Sequence, residues 1–132
     1  MKIMQNALLR AIKESMGIVL ETNNSIFQSP FASKITLDKK AFIIVVNDEL
    51  LKKFALDFLG TQEVDNDTLM DISKEIANLI VGKAKVLYEQ EGRILKLGIP
   101  QFIGDEKITN YIDVISYNFE NLRCIIYEVE NG

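Results

Sequence analysis

The sequence predicts an α+β fold, a largely antiparallel β-sheet with one long helix and two further helices packed on it. The strand-like runs fall into two groups, one before residue 47 and one after residue 92, and helical patterns precede and separate these groups. The chain has 132 residues, of which 48% are hydrophobic and 26% charged, and this composition is typical of one globular domain. Residues 1–132 are therefore expected to form a single domain with its own core.

The first third of the chain is predicted to form a helix followed by a β-hairpin. From about residue 4 to residue 20, apolar residues recur with the period of an amphipathic helix. The polar stretch ETNNSIFQSP follows as a loop. FASKITL then has the alternation of a strand, and AFIIVV is a β-branched run typical of a strand covered on both faces. The short DKK connection between these runs predicts a hairpin.

Two helices are predicted in the middle of the chain. NDELLKKFALDFLG indicates a helix with Asn47 or Asp48 as its N-cap and Gly60 at its end. The acidic stretch EVDND, which ends at residue 67, lacks the glycine and distal glutamate of a calcium loop, so we interpret it as the cap of the next helix, through Asp65 or Asp67. That helix is predicted to be the longest and to span about residues 66–90.

Three strand-like runs complete the chain. RILKLGI leads to Pro100, ITNYIDVISYNF alternates with the period of a strand, and NLRCIIYEV is the last run. The residues FEN between the last two runs indicate a short hairpin turn.

The composition excludes several kinds of site. The chain has no histidine, which excludes Ser-His-Asp and Cys-His catalysis and histidine-based metal centres. Its net charge of −4 argues against binding to nucleic acid or to an anionic membrane surface. The single cysteine, Cys124, lies in an apolar run and is expected to be buried. The N-terminal segment has no continuous apolar stretch, so the expected location is the cytoplasm.

The long helix carries one unusual polar stripe. In DISKEIANLIVGKAK, Asp71, Glu75, Asn78 and Gly82 are predicted to cluster on the side away from the apolar stripe. Such stripes commonly meet only water. However, asparagine and glycine both disfavour a helix interior, and residues that break local rules together often mark a functional site. On these grounds alone, a solvated face and a working site remain equally open.

The residues on this stripe resemble a known family. Glu75-x-x-Asn78-x-x-x-Gly82-x-x-Lys85, followed by LKLGIPQFIG, resembles the CheX branch of the CheC/CheX/FliY phosphatases of bacterial chemotaxis. The resemblance extends over about residues 4–128. It implies a CheC/CheX-like fold, a homodimer and a cytoplasmic hydrolase of two-component signalling. The implied reaction is removal of the aspartyl phosphate from a CheY-type response regulator.

The resemblance also implies roles for individual residues. Asn78 would position the attacking water and Glu75 would dock the regulator, while Asp71, Gly82 and Lys85 would lie at the partner interface. Mg²⁺ would be held by the receiver domain of the partner and not by this chain. Two alternatives remain open at this point: a module of the same fold that binds a regulator or a chemotaxis or flagellar protein without catalysis, and a small-molecule-binding domain. The second requires a concave pocket, and the sequence shows no cluster that predicts one.

Overall fold

The element order agrees with the α+β fold predicted from the sequence. The computed structural model describes residues 1–131. Within this range the elements are α1 (Lys2–Met16), β1 (Glu21–Thr22), β2 (Ala32–Leu37), β3 (Lys40–Val46), α2 (Asp48–Leu59), α3 (Asn66–Gln90), β4 (Gln101–Phe102), β5 (Asp113–Phe119) and β6 (Leu122–Val129). The strands form one sheet in the order β1-β5-β6-β3-β2-β4, and every neighbouring pair is antiparallel.

The three helices lie on one face of the sheet, and loops cover the other face. The larger core contains side chains from the helices and from the alternate residues of β2, β3 and β6 that point towards them, such as Ile35, Ile44 and Ile126. A smaller core on the opposite face is built around Ile43, Val45 and Tyr127. Because β3 is buried on both faces, its continuous apolar run correctly predicted a central strand.

Glycine and polar caps set the limits of the first two helices. α1 ends at Met16, four residues earlier than predicted, because Gly17 takes a left-handed conformation with φ of 69° and its N–H donates to the Lys13 carbonyl. α2 begins after Asn47, whose side-chain oxygen accepts from the Leu50 N–H at 3.1 Å. Of the two caps that the sequence left open, Asn47 is therefore the one used.

The long helix has the limits that the sequence predicted. Its N-cap is Asp65, whose carboxylate accepts from the Thr68 N–H at 2.8 Å. Hydrogen bonding to the Thr68 side chain, and to a smaller extent to this N–H, lowers the pKa of Asp65 below its ordinary value. α3 then continues to Gln90. Within residues 1–131, no helix combines the length and the apolar character needed to cross a bilayer.

The prediction that RILKLGI forms a strand is wrong. Only Leu97 in this run forms a bridge, with Leu37, and β4 begins later, at Gln101. Gly98 lies so close to β2 that a Cβ in its place would be 2.1 Å from Thr36 Oγ1. Pro100 has no N–H to donate to a ladder. The run therefore lies along the edge of the sheet as an irregular segment.

Two further boundaries differ from the prediction. The loop predicted from the stretch ETNNSIFQSP contains β1, which pairs with the end of β5. The run ITNYIDVISYNF becomes a strand only at Asp113, because residues before it cross the smaller core as a loop. The hairpins themselves are confirmed: β2 and β3 are closed at Leu37↔Lys40, and β5 and β6 at Phe119↔Leu122.

Candidate functional site

The candidate site is the solvent-facing side of α3. One side of this helix packs on β2 and α1, and its buried residues are Leu69, Ile72, Ser73, Ile76, Ala77, Ile80, Val81, Ala84 and Tyr88. At about 100° of rotation per residue, Asp71, Glu75, Asn78 and Gly82 fall on the opposite side. As predicted, these four residues therefore cluster on the side of α3 away from the core.

Glu75 and Asn78 are presented to solvent one turn apart. Glu75 is exposed and Asn78 is partly exposed. At about 1.5 Å of rise per residue, their Cα atoms are separated by about 4.5 Å along the helix axis. Among residues 1–131, neither side chain has a hydrogen-bonding or ion-pair partner. A carboxylate and a carboxamide are thus available together for a ligand outside the chain.

Asp71, at the start of the stripe, and Lys85, one turn after Gly82, both form ion pairs within the helix. The Asp71 carboxylate lies 3.4 Å from the ammonium of Lys74, and Lys85 pairs with Glu89 one turn later. Both pairs are partly exposed to solvent, so each contributes little to stability. Neither pair reaches the Glu75 carboxylate. These two ion pairs therefore lie on either side of Glu75 and Asn78 along the helix and leave both side chains unpaired among the described residues.

Gly82 lies where α3 meets the irregular segment after it. A Cβ added to Gly82 would meet only Leu97, with Cδ2 at 3.8 Å, which is an ordinary van der Waals distance. The fold of this chain therefore does not require glycine at this position. A glycine inside a helix costs about 0.5–1 kcal/mol relative to alanine, and the packing of the described residues does not account for this choice at Gly82.

Sequence reasoning missed an apolar feature beside the stripe. Ile94 is 87% exposed and Ile99 is 91% exposed, in the segment that contacts α3 through Leu97. They were overlooked because the segment was interpreted as a strand, in which isoleucine is ordinary. The glycine and proline that flank Ile99 were the available indication that it lies outside a regular ladder.

Two cavities lie on the other face of the sheet, and sequence reasoning did not find them. Their volumes are about 740 Å³ and 810 Å³, and both are lined by the loop residues Glu106, Lys107 and Ile108. Their walls come from segments far apart in the chain, so no local pattern indicates them. Since α3 contributes no residue to either, they are separate from the polar stripe.

The remaining chemical candidates are structural. Cys124 is buried as expected, and burial raises the pKa of its thiol to about 12. Within the described part of the chain, no three cysteine, aspartate or glutamate side chains are arranged to hold a metal ion. Among residues 1–131, the stripe is thus the candidate that combines functional groups with an uncommon choice of residues.

Comparison with known proteins identifies the family. Residues 36–119, more than half of the chain, match the family model described as Chemotaxis phosphatase CheX. This range contains the whole of α3 and the segment that follows it. No curated protein matches the sequence.

Solved structures of the same fold agree with this match. Chemotaxis protein CheX from Vibrio vulnificus superposes with a TM-score of 0.82 at 16% identity, covering 98% of this chain and 95% of that one. A CheC-like superfamily protein from Shewanella has a TM-score of 0.74 at 16% identity, with coverages of 99% and 96%. CheX in the CheX-CheY-BeF3-Mg²⁺ complex from Borrelia burgdorferi has a TM-score of 0.67 at 13% identity, with coverages of 98% and 97%. From the match of residues 36–119, together with this fold, the chain belongs to the CheX family of chemotaxis phosphatases.

Proposed function

We propose that this chain hydrolyses the aspartyl phosphate of a CheY-type response regulator, and that Asn78 positions the attacking water. The observation that carries the proposal is the paired presentation of Glu75 and Asn78, which are exposed or partly exposed and have no partner among residues 1–131. Membership of the CheX family and the Borrelia burgdorferi complex of CheX with CheY support the choice of substrate.

The chemistry suits a carboxamide better than a base. An acyl phosphate is already activated, so its hydrolysis chiefly requires a water held in line with the bond that breaks. The Asn78 amide can both donate to and accept from that water. A carboxylate in the same place would be repelled by the phosphoryl oxygens. Asn78 therefore acts by orientation, and the phosphate and its aspartate arrive with the other protein.

Glu75 has the role of docking the regulator. Its carboxylate lies one turn from Asn78 and is free to pair with an ammonium group on the receiver domain. Such a pair would set the register of the two surfaces and place Asn78 over the phosphoryl group. Asp71, Gly82 and Lys85 would lie within the same interface, with Gly82 allowing the partner to approach α3 closely.

Mg²⁺ belongs to the receiver side of this proposed complex. The described residues of this chain provide no cluster of metal ligands, whereas the Borrelia burgdorferi complex combines CheX and CheY with BeF3 and Mg²⁺. When bound, the ion neutralises charge on the phosphoryl oxygens. We further infer that the protein acts in the cytoplasm, where phosphorylated regulators occur, and that it forms a homodimer, as the family resemblance implies.

The proposal is tested by replacing the amide. Asn78→Ala should remove most of the acceleration of phosphate release, while binding to a receiver domain loaded with BeF3⁻ is largely retained. Asn78→Asp should be at least as inactive, because it adds a negative charge beside the phosphoryl group. Alanine is also the better helix former by roughly half a kcal/mol, so loss of folding would not explain the result. Full activity in Asn78→Ala would overturn the proposed role.

A further inference from the structure

The segment after α3 carries an exposed apolar side chain beside the polar stripe. Leu97 anchors the segment to α3 at Gly82, and Phe102 anchors it to β2 opposite Ser33. Ser33 in turn meets Ser73 of α3, with their Oγ atoms 3.1 Å apart. The segment therefore runs back along the helix, from the level of Gly82 to the level of Ser73.

These two anchors fix the height of Ile99 along the helix. The five residue steps from Leu97 to Phe102 span about the same length as the nine residue steps of α3 from Gly82 back to Ser73. Ile99 lies two of these five steps from Leu97. On the same scale this corresponds to between three and four residue steps of the helix, counted back from Gly82. It is therefore about level with Asn78, on the flank where Leu97 meets the stripe.

The exposure of Ile99 is not explained by the fold of the chain itself. Ile99 is 91% exposed, although its neighbour Leu97 packs against the larger core. Ile94, in the same segment, is 87% exposed. Apolar side chains grouped beside polar ones are typical of protein interfaces, in which an apolar centre adjoins hydrogen-bonding groups.

We propose that Ile99 is a receiver-contacting residue of the same site, packing against apolar side chains of the regulator next to its phosphorylated aspartate. This inference rests on the proposed function, and it extends the interface from α3 onto the segment 94–99. The receiver domain is the occupant that the geometry favours, because a protein that brings a phosphoryl group to Asn78 reaches the height of Ile99 on the flank of α3 where Leu97 lies. Glu75 would supply the charged contact and Ile99 the apolar one.

The experiment compares Ile99→Ser with Ile112→Ser. Ile112 is a matched control, since it is 61% exposed and lines a cavity on the other face of the sheet. A CheY-type receiver domain loaded with BeF3⁻ and Mg²⁺ is titrated with each variant, and KM and kcat are measured with the phosphorylated receiver. Ile99→Ser should raise Kd and KM roughly ten-fold, as expected for loss of one buried aliphatic side chain, and should leave kcat within about two-fold. Ile112→Ser should match the unmodified protein in all three.

The outcomes separate this inference from the proposed function. Unchanged Kd and KM in Ile99→Ser, with an active parent protein, would overturn the inference and leave the proposed function standing. A parent protein that binds the receiver but releases no phosphate would overturn the proposed function, and Kd alone would still decide the role of Ile99. If Ile99→Ser instead turns a dimer into a monomer at unchanged Kd, the side chain belongs to a contact between two copies and the inference is wrong. A parent protein that does not bind any receiver would overturn both.

Discussion

The substitution Gly82→Ala should have opposite effects on stability and on activity. The new methyl group would meet only Leu97, at 3.8 Å, so the chain accommodates it without rearrangement. Replacing a helix-interior glycine with alanine stabilises a helix by about 0.5–1 kcal/mol. For a domain of this size that gain raises Tm by roughly 2–5 °C. Thermal unfolding followed by circular dichroism measures this directly.

The same methyl group should interfere with the partner. If the receiver domain approaches α3 closely at Gly82, a Cβ there occupies space that the complex needs, and overpacking of a tight contact costs about 1–3 kcal/mol. That cost corresponds to a rise in KM of roughly five- to 150-fold for the phosphorylated receiver. A phosphate-release assay at several receiver concentrations measures the change.

A control separates these two effects. Asn6→Ala improves helix propensity at an exposed position of α1, away from the stripe, and should raise Tm without changing KM. Full activity of Gly82→Ala with an unchanged KM would contradict a close approach of the receiver domain at this position. A lower Tm in Gly82→Ala would contradict the expected gain in stability, since the space around Gly82 would then be smaller than the structure indicates.

Three further predictions follow from individual contacts. Glu75→Gln should raise KM about three- to ten-fold, because an ion pair with the receiver domain is lost. Tm should not change, because Glu75 has no partner among residues 1–131. An unchanged KM would exclude the docking role. Asn47→Ala should lower the free energy of unfolding, measured with urea, by about 1–2 kcal/mol. The reason is that the Asn47 side-chain oxygen accepts from both the Leu50 N–H and the Arg123 N–H, each at 3.1 Å. A loss below about 0.3 kcal/mol would contradict this role. Burial raises the pKa of the Cys124 thiol from 9.0 to about 12. Between these two pH values the folded protein keeps a proton that the unfolded chain has lost. The free energy of unfolding should therefore fall as the pH rises from 9 to 12. A thiol reagent at pH 8 should accordingly label Cys124 only after denaturation, and rapid labelling of the folded protein would contradict its burial.

The sequence was sufficient to predict the parts of the fold that depend on local patterns. The long helix followed from its apolar period and from the acidic residues at its start, and the central strand followed from the run AFIIVV. The segment before Pro100 was predicted wrongly because its composition suits a strand, whereas its structure is set by close packing of Gly98 on Thr36. That contact joins residues more than sixty positions apart, so no local pattern contains it.

The candidate site was only partly accessible from the sequence. Helical periodicity placed Glu75 and Asn78 together, and the weak helix propensity of asparagine and glycine marked the face as unusual. The ion pairs of Asp71 and Lys85 involve neighbours on the same helix and became visible only with side-chain positions. The height of Ile99 beside Asn78 depends on how the segment returns along α3, which is a tertiary property.

Multiple-turnover phosphate release tests whether this protein is a phosphatase. A phosphorylated CheY-type receiver is mixed with about one tenth of its concentration of this protein, and inorganic phosphate is followed over time. Our account predicts release of phosphate from the whole receiver pool at a rate that scales with the amount of added protein and falls to the receiver's own rate with Asn78→Ala. Release at the receiver's own rate in the presence of the unmodified protein, despite measurable binding, would show a module that binds without catalysis and would contradict the account.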